Sequence, residues 1–221
     1  MTCPAEPETM SESKRKLTKA EEKRVILFNE TTAALEQQGY RKIDLTASVL
    51  KANIVGVLYT LILAIPFIVV FGLTNKESLS GATDDNFLLK WSISLLVMLL
   101  LIVVHELIHG ITWAAFTKER FQSIEFGVIW KMLTPYCTCK EPLKRIPYIL
   151  GGIMPCIVLG FIPCIISWFT HSFWLLIIGV FMILAAGGDV LICKMILSNK
   201  TAPSALYLDH PTDLGLRVFV K

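Results

Sequence analysis

The chain has 221 residues, 54% of them hydrophobic, with a mean hydropathy of +0.60 and a net charge of +3. Soluble domains are about 45–50% apolar even with glycine counted, so an ordinary soluble domain is excluded. The basic residues are distributed by segment rather than gathered into one patch, which excludes a nucleic-acid surface and leaves membrane topology as their reading.

Residues 1–17, rich in Glu, Pro, Ser and Lys, are expected to form a disordered N-terminal tail. Residues 18–51 are read as a cytosolic helix and lead-in. Thr18 is placed as N-cap with Glu21 three residues on, the spacing of a capping box, and Gly39 as the stop. A solvated helix is the expectation here. Four stretches then supply the roughly 20 mostly apolar residues that a hydrocarbon core requires. They are residues 52–73, 91–116, 148–169 and 173–197. No cleavable signal peptide is visible before the first of them, which is therefore expected to act as an uncleaved anchor.

Nine Lys and Arg lie between positions 14 and 51, and six more in the segment 117–147. Between the first two spans, Lys76 and Lys90 stand against Glu77, Asp84 and Asp85. By the positive-inside rule both termini and the long middle loop face the cytosol. In that loop FQSIEFGVIW alternates, imperfectly, between polar and apolar residues, and a turn-prone Thr134-Pro135 and the run YCTC follow. This pattern predicts a small β-hairpin. Residues 198–221 form a cytosolic tail with strand-like and turn-like pieces in LYLDHPTDLGLRVFV. The expected fold class is an all-α integral membrane protein. It has four transmembrane helices within 52–197 and a small cytosolic β-hairpin-like loop between the second and third.

The six cysteines do not form a disulfide framework. Cys156, Cys164 and Cys193 lie inside spans, and Cys3, Cys137 and Cys139 on the cytosolic side, where thiols stay reduced. Cys137 and Cys139 have no second pair, so they read as ordinary loop cysteines rather than half of a metal site.

The second span carries His105, Glu106 and His109 in VVHELIHG. Ionisable groups at membrane depth are costly and mark functional sites by default. Residues four apart share one helix face, so the two imidazoles can meet one ion. Zinc accepts neutral imidazole nitrogen, and the neighbouring glutamate can take a proton from a water held by the ion. Catalytic zinc needs a third protein ligand. Counted from the outer surface, His105, His109 and Asp189 lie roughly 14, 18 and 16 residues in, or about 20–27 Å deep at 1.5 Å per residue. Asp189 is also the only acidic residue in a span besides Glu106. Asp209 and His210 in the tail are the chief rivals. Glu125 and Glu141 would have to fold in from the loop, and His171 falls on the far side. Gly151, Gly152 and Pro155 open the third span. They either leave room for a substrate strand or, as preferred here, bend or cap the helix.

HELIHG at the end of one span with GGD late in a following one resembles the site-2 protease clan of intramembrane zinc metalloproteases. The whole chain from about Gly39 is more similar to a bacterial family of unknown function named "Putative zincin peptidase". HELIHG, TPYCTCKEPL, LGGIMP and DHPTDLG carry that likeness. Asp189 is flanked by Gly and Val, so the L-D-G setting of the clan is absent, as is its asparagine-and-proline motif. The resemblance implies Zn2+ as cofactor, with His105, His109 and Asp189 as metal ligands and Glu106 as catalytic base and proton donor. The expected function is membrane-embedded zinc-dependent endopeptidase, cutting membrane proteins or peptides near the cytosolic face. The expected partners are that substrate and the lipid bilayer, with no nucleic acid, and the expected location is a bacterial cytoplasmic membrane. A catalytically silent zinc-binding scaffold or chaperone-like protein is the alternative. A metal or solute transporter is weaker, for want of an inverted repeat.

Overall fold

The computed structural model describes residues 18–78, 86–129 and 134–221. The N-terminal tail expected at 1–17, with Asp84, Asp85 and Trp130, lies outside the described residues. Helix α1 (Lys19–Gln37) starts on the expected capping box. Thr18 Oγ1 accepts from Glu21 N–H at 3.3 Å, and Thr18 N–H donates to the Glu21 carboxylate at 2.8 Å. Gly39, at φ 85°, ends it as expected. Strand β1 (Arg41–Thr46) then leads into α2 (Val49–Thr74), which runs through Pro66.

Helix α3 (Phe87–Ala114) carries the histidine motif near its end. The expected hairpin follows as β2 (Ile124–Ile129) and β3 (Thr134–Cys139), paired antiparallel with Ile124 opposite Cys139. A short β4 (Leu143–Lys144) leads into α4 (Arg145–Pro155), a π-helical turn (Cys156–Phe161) and α5 (Ile162–Thr170). The π turn lies between Pro155 and Pro163, each of which lacks the N–H that would continue regular α bonding.

The fourth apolar stretch is not one straight rod. It is α6 (Phe173–Ala185) and α7 (Gly187–Ser198), bent by 50° at Ala186. Among the described residues, three helical segments are long and apolar enough to cross a membrane, or four if the bent pair counts as one. Their outer faces fit that use, because Leu61, Ile62, Leu95, Leu99 and Leu100 are exposed.

The expectation of an all-helical chain with one hairpin understates the β structure. The tail folds as β5 (Leu206–Asp209) and β6 (Gly215–Val220), in a four-stranded antiparallel sheet of order β1-β6-β5-β4. Lead-in and tail therefore meet, with Arg41 opposite Val220 and Thr46 opposite Gly215. Nor is α1 simply solvated: Phe28 and Leu35 pack on Leu208 and Phe219. On the sheet's other side Tyr207, Leu216 and Val218 join Trp113 of α3 and Tyr148 of α4 in one buried core. The sheet is thereby seated on the helix ends that bear the histidine motif.

Candidate metal centre

His105 and His109 lie one turn apart on α3, both buried, while the exposed side of the helix carries Val103, Val104 and Leu107. Their rings stand 4.8 Å apart and nearly perpendicular. Asp189, in the first turn of α7, points its carboxylate between them. Oδ2 is 3.0 Å from His105 Nε2 and Oδ1 is 3.4 Å from His109 Nε2. One donor atom from each of the three residues falls within 4.8 Å of the others. The structure thus brings together the three residues that the sequence set at matching depth. It does so through a bend at Ala186 that the depth count, which assumed a straight fourth span, did not include.

The bend rests on a close helix crossing. A Cβ on Gly56 of α2 would sit 2.5 Å from the Gly187 carbonyl oxygen, and one on Gly187 would sit 3.0 Å from the Gly56 carbonyl carbon. Only two glycines let these backbones touch two residues before Asp189. Beside them, Gly188 has open space around it.

Neighbouring bonds fix the tautomer of His109. Its Nδ1 lies 2.7 Å from the Gly151 carbonyl oxygen in a buried contact. A carbonyl oxygen only accepts, so Nδ1 carries hydrogen and donates. In the neutral ring, Nε2 then presents a lone pair toward Asp189. A lone pair facing a carboxylate oxygen calls for a cation between them, either a proton or a metal ion. His105 differs, since its Nδ1 is buried without a hydrogen-bond partner among the described residues.

The His109 ring stacks on Trp113 at 5.2 Å and 17°, and Trp113 Nε1 donates to the Tyr148 carbonyl at 3.2 Å. The Glu106 carboxyl lies within electrostatic reach of both imidazoles, of Asp189 and of the Cys137 backbone. The strand register turns the Cys137 N–H away from β2. Lys140 N–H bonds toward β2 at the Ser123 carbonyl, whereas Cys139 N–H points away to Asp209 Oδ2 at 2.8 Å. Backbone direction alternates along a strand, so Cys137 and Pro135 face outward with Cys139.

The rivals for the third ligand position are engaged elsewhere. Asp209 accepts from Cys139 N–H and from the Tyr148 hydroxyl. Burial raises its pKa, against the lowering effect of these two bonds. His210 packs on Phe28 and lies 3.4 Å from Asp213. Glu125 faces Arg24 at 3.5 Å. Glu141 accepts from the N–H groups of Lys118 and Glu119, each at 3.0 Å, and His171 bonds Asn75 beyond the far end of α5. Burial pushes the Cys139 thiol up to about 12 and raises that of Cys137, which keeps both protonated and opposes a thiolate metal site.

Sequence reasoning missed three contributors: the Gly151 carbonyl, the His109–Trp113 stack and the Asp209 bridge. The LGGIMP and DHPTDLG segments flagged the first and third as unusual without revealing their contacts.

The donor set suits zinc. Two imidazoles and a carboxylate are a catalytic zinc complement, and a ligating histidine commonly gives its second N–H to a carbonyl, as His109 does. No curated protein and no solved structure matches the chain. Residues 98–203, just under half of the chain, match the family model described as "Putative zincin peptidase". That stretch holds the histidine motif and Asp189 but stops short of β5 and β6. Over it, the chain is similar to a family whose description suggests a zinc metallopeptidase.

Proposed function

We propose that this protein is a membrane-embedded zinc-dependent endopeptidase, cutting membrane proteins or peptides near the cytosolic face. The observation that carries the reading is the convergence of His105 Nε2 and His109 Nε2 on the Asp189 carboxylate, with Glu106 beside them. Those three residues would hold the ion. Bound there, zinc would supply Lewis acidity, polarising a scissile carbonyl and making water acidic enough to attack near neutral pH.

Glu106 then acts as general base toward the attacking water and afterwards returns the proton to the leaving amine. A peptide in a membrane helix is shielded by its own hydrogen bonds and must be unwound first, and an edge strand is a common way to hold the extended form. The outward edge of β3 runs past Glu106. An incoming strand would take the Cys137 N–H beside the Glu106 carboxyl.

The test is zinc content and peptide hydrolysis in mild detergent, for the wild type and Glu106→Gln. About one zinc in each, with cleavage of membrane-segment peptides by the wild type alone, is the expected result. Zinc in both with no cleavage across a broad panel of such peptides would favour a silent zinc-binding scaffold. Absence of zinc from well-folded wild type after zinc is supplied would end the reading.

A further inference from the structure

In an α-helix each carbonyl is taken by the N–H four residues on. For the Gly151 carbonyl of α4 that residue is Pro155, which has no N–H to give. Within a membrane helix a carbonyl freed in this way needs a partner from elsewhere. Here the partner is His109 Nδ1, at 2.7 Å. We infer that Pro155 is a positioning residue for the metal centre: by deleting one helix hydrogen bond, it reserves the Gly151 carbonyl for His109.

Two further features fit this role. A Cβ on Gly151 would lie 2.0 Å from Trp113 Nε1, so only glycine lets α4 come this close to the stacked His109–Trp113 pair. Pro155 is itself fully buried and is not a surface helix stop. Glycine supplies the approach and proline, four residues later, the unclaimed acceptor. The result is a His109 ring held with Nδ1–H outward and Nε2 toward Asp189. Pro163, in the same apolar rod, is the built-in comparison. Leu159, four residues before it, lies in the π turn, where a carbonyl bonds five residues on, and no histidine among the described residues bonds the Leu159 carbonyl.

The inference rests on the zinc reading, and the experiment separates the two. Zinc affinity is measured by chelator competition in detergent for wild type, Asp189→Ala, Pro155→Ala, Pro155→Val and Pro163→Ala. Melting of the zinc-free forms is followed in parallel. Both Pro155 variants restore an N–H that competes for Gly151. They are expected to weaken zinc binding by roughly 10–100-fold, the usual effect of losing an outer-shell partner, with zinc-free melting unchanged or raised. Pro163→Ala should leave affinity within about twofold of wild type on the same scale. Histidine 15N shifts of zinc-free wild type should show His109 protonated at Nδ1 and bare at Nε2, a check that needs no variant to fold. Wild-type affinity in both Pro155 variants, or the opposite tautomer in wild type, overturns the inference. Failure of wild type to bind zinc, or retention of zinc by Asp189→Ala, overturns the ligand assignment instead.

Discussion

Two histidine clusters sit at opposite ends of the helices and use different acceptors. At one end His171 Nδ1 meets the amide oxygen of Asn75, whose own NH2 donates to Thr74 Oγ1 at 2.8 Å. Trp168 Nε1 donates to the same hydroxyl at 2.9 Å. This is one imidazole and neutral partners, arranged so that donors meet acceptors. At the other end two imidazoles face one carboxylate, and His109 has already spent its N–H on Gly151. The first cluster is complete as a hydrogen-bond network; the second needs a cation. A histidine on an apolar helix is therefore informative through what its other nitrogen does.

The sharpest way to break this contrast is to remove ligands from each cluster. Asp189→Ala or His109→Ala should reduce bound zinc from about one per chain to near zero, whereas His171→Ala should leave it intact, by elemental analysis. Equal loss in all three would erase the distinction. Next in size, Glu106→Gln should cut peptide hydrolysis by about 10²–10⁴-fold while zinc stays bound, the range for a lost general base. Loss of zinc as well would make Glu106 a ligand.

Smaller effects test how the second cluster is held. Asp209→Ala strands the Tyr148 hydroxyl and Cys139 N–H, at about 1–3 kcal/mol for each buried group left unsatisfied. Thermal unfolding in detergent would show it. Gly56→Ala forces a Cβ against the Gly187 backbone and should cost about 1–3 kcal/mol, as overpacking does. Gly188→Ala, with open space around it, should cost nothing. Equal behaviour of the two variants would remove the crossing as the cause of the bend.

The smallest effect lies in the sheet and depends on pH. Arg217 donates to Asp44 from Nε at 2.5 Å and Nη2 at 3.0 Å, and this hydrogen bonding holds the carboxyl below its ordinary 3.8. The folded pKa is below the unfolded one, so the pair's contribution is present above pH 3.8 and is lost as pH falls through the lower folded value. The melting difference between zinc-free wild type and Asp44→Asn should be constant from neutral pH down to about 5 and shrink below 3.8. A difference unchanged in acid would show that the charge contributes nothing.

Local signals were enough for part of this molecule. The length of the apolar runs determined where helices lie, the four-residue spacing placed His105 and His109 on one face, and Thr18 with Glu21 marked a helix start. Alternation over residues 121–130 and the turn signals after it marked the hairpin. Each is a property of neighbouring residues, fixed by the helix or strand repeat. The tertiary structure alone decided what depended on partners distant in the chain. RKIDLT became a strand because β6, more than 160 residues later, offers it an edge. The fourth apolar stretch bends at Ala186, where Gly187 meets Gly56 across two helices. The Gly151 carbonyl found its donor on α3, where no helical periodicity could point to it. Spacing along the chain could nominate the ligands, but their orientation depends on contacts between segments that sequence periodicity does not encode.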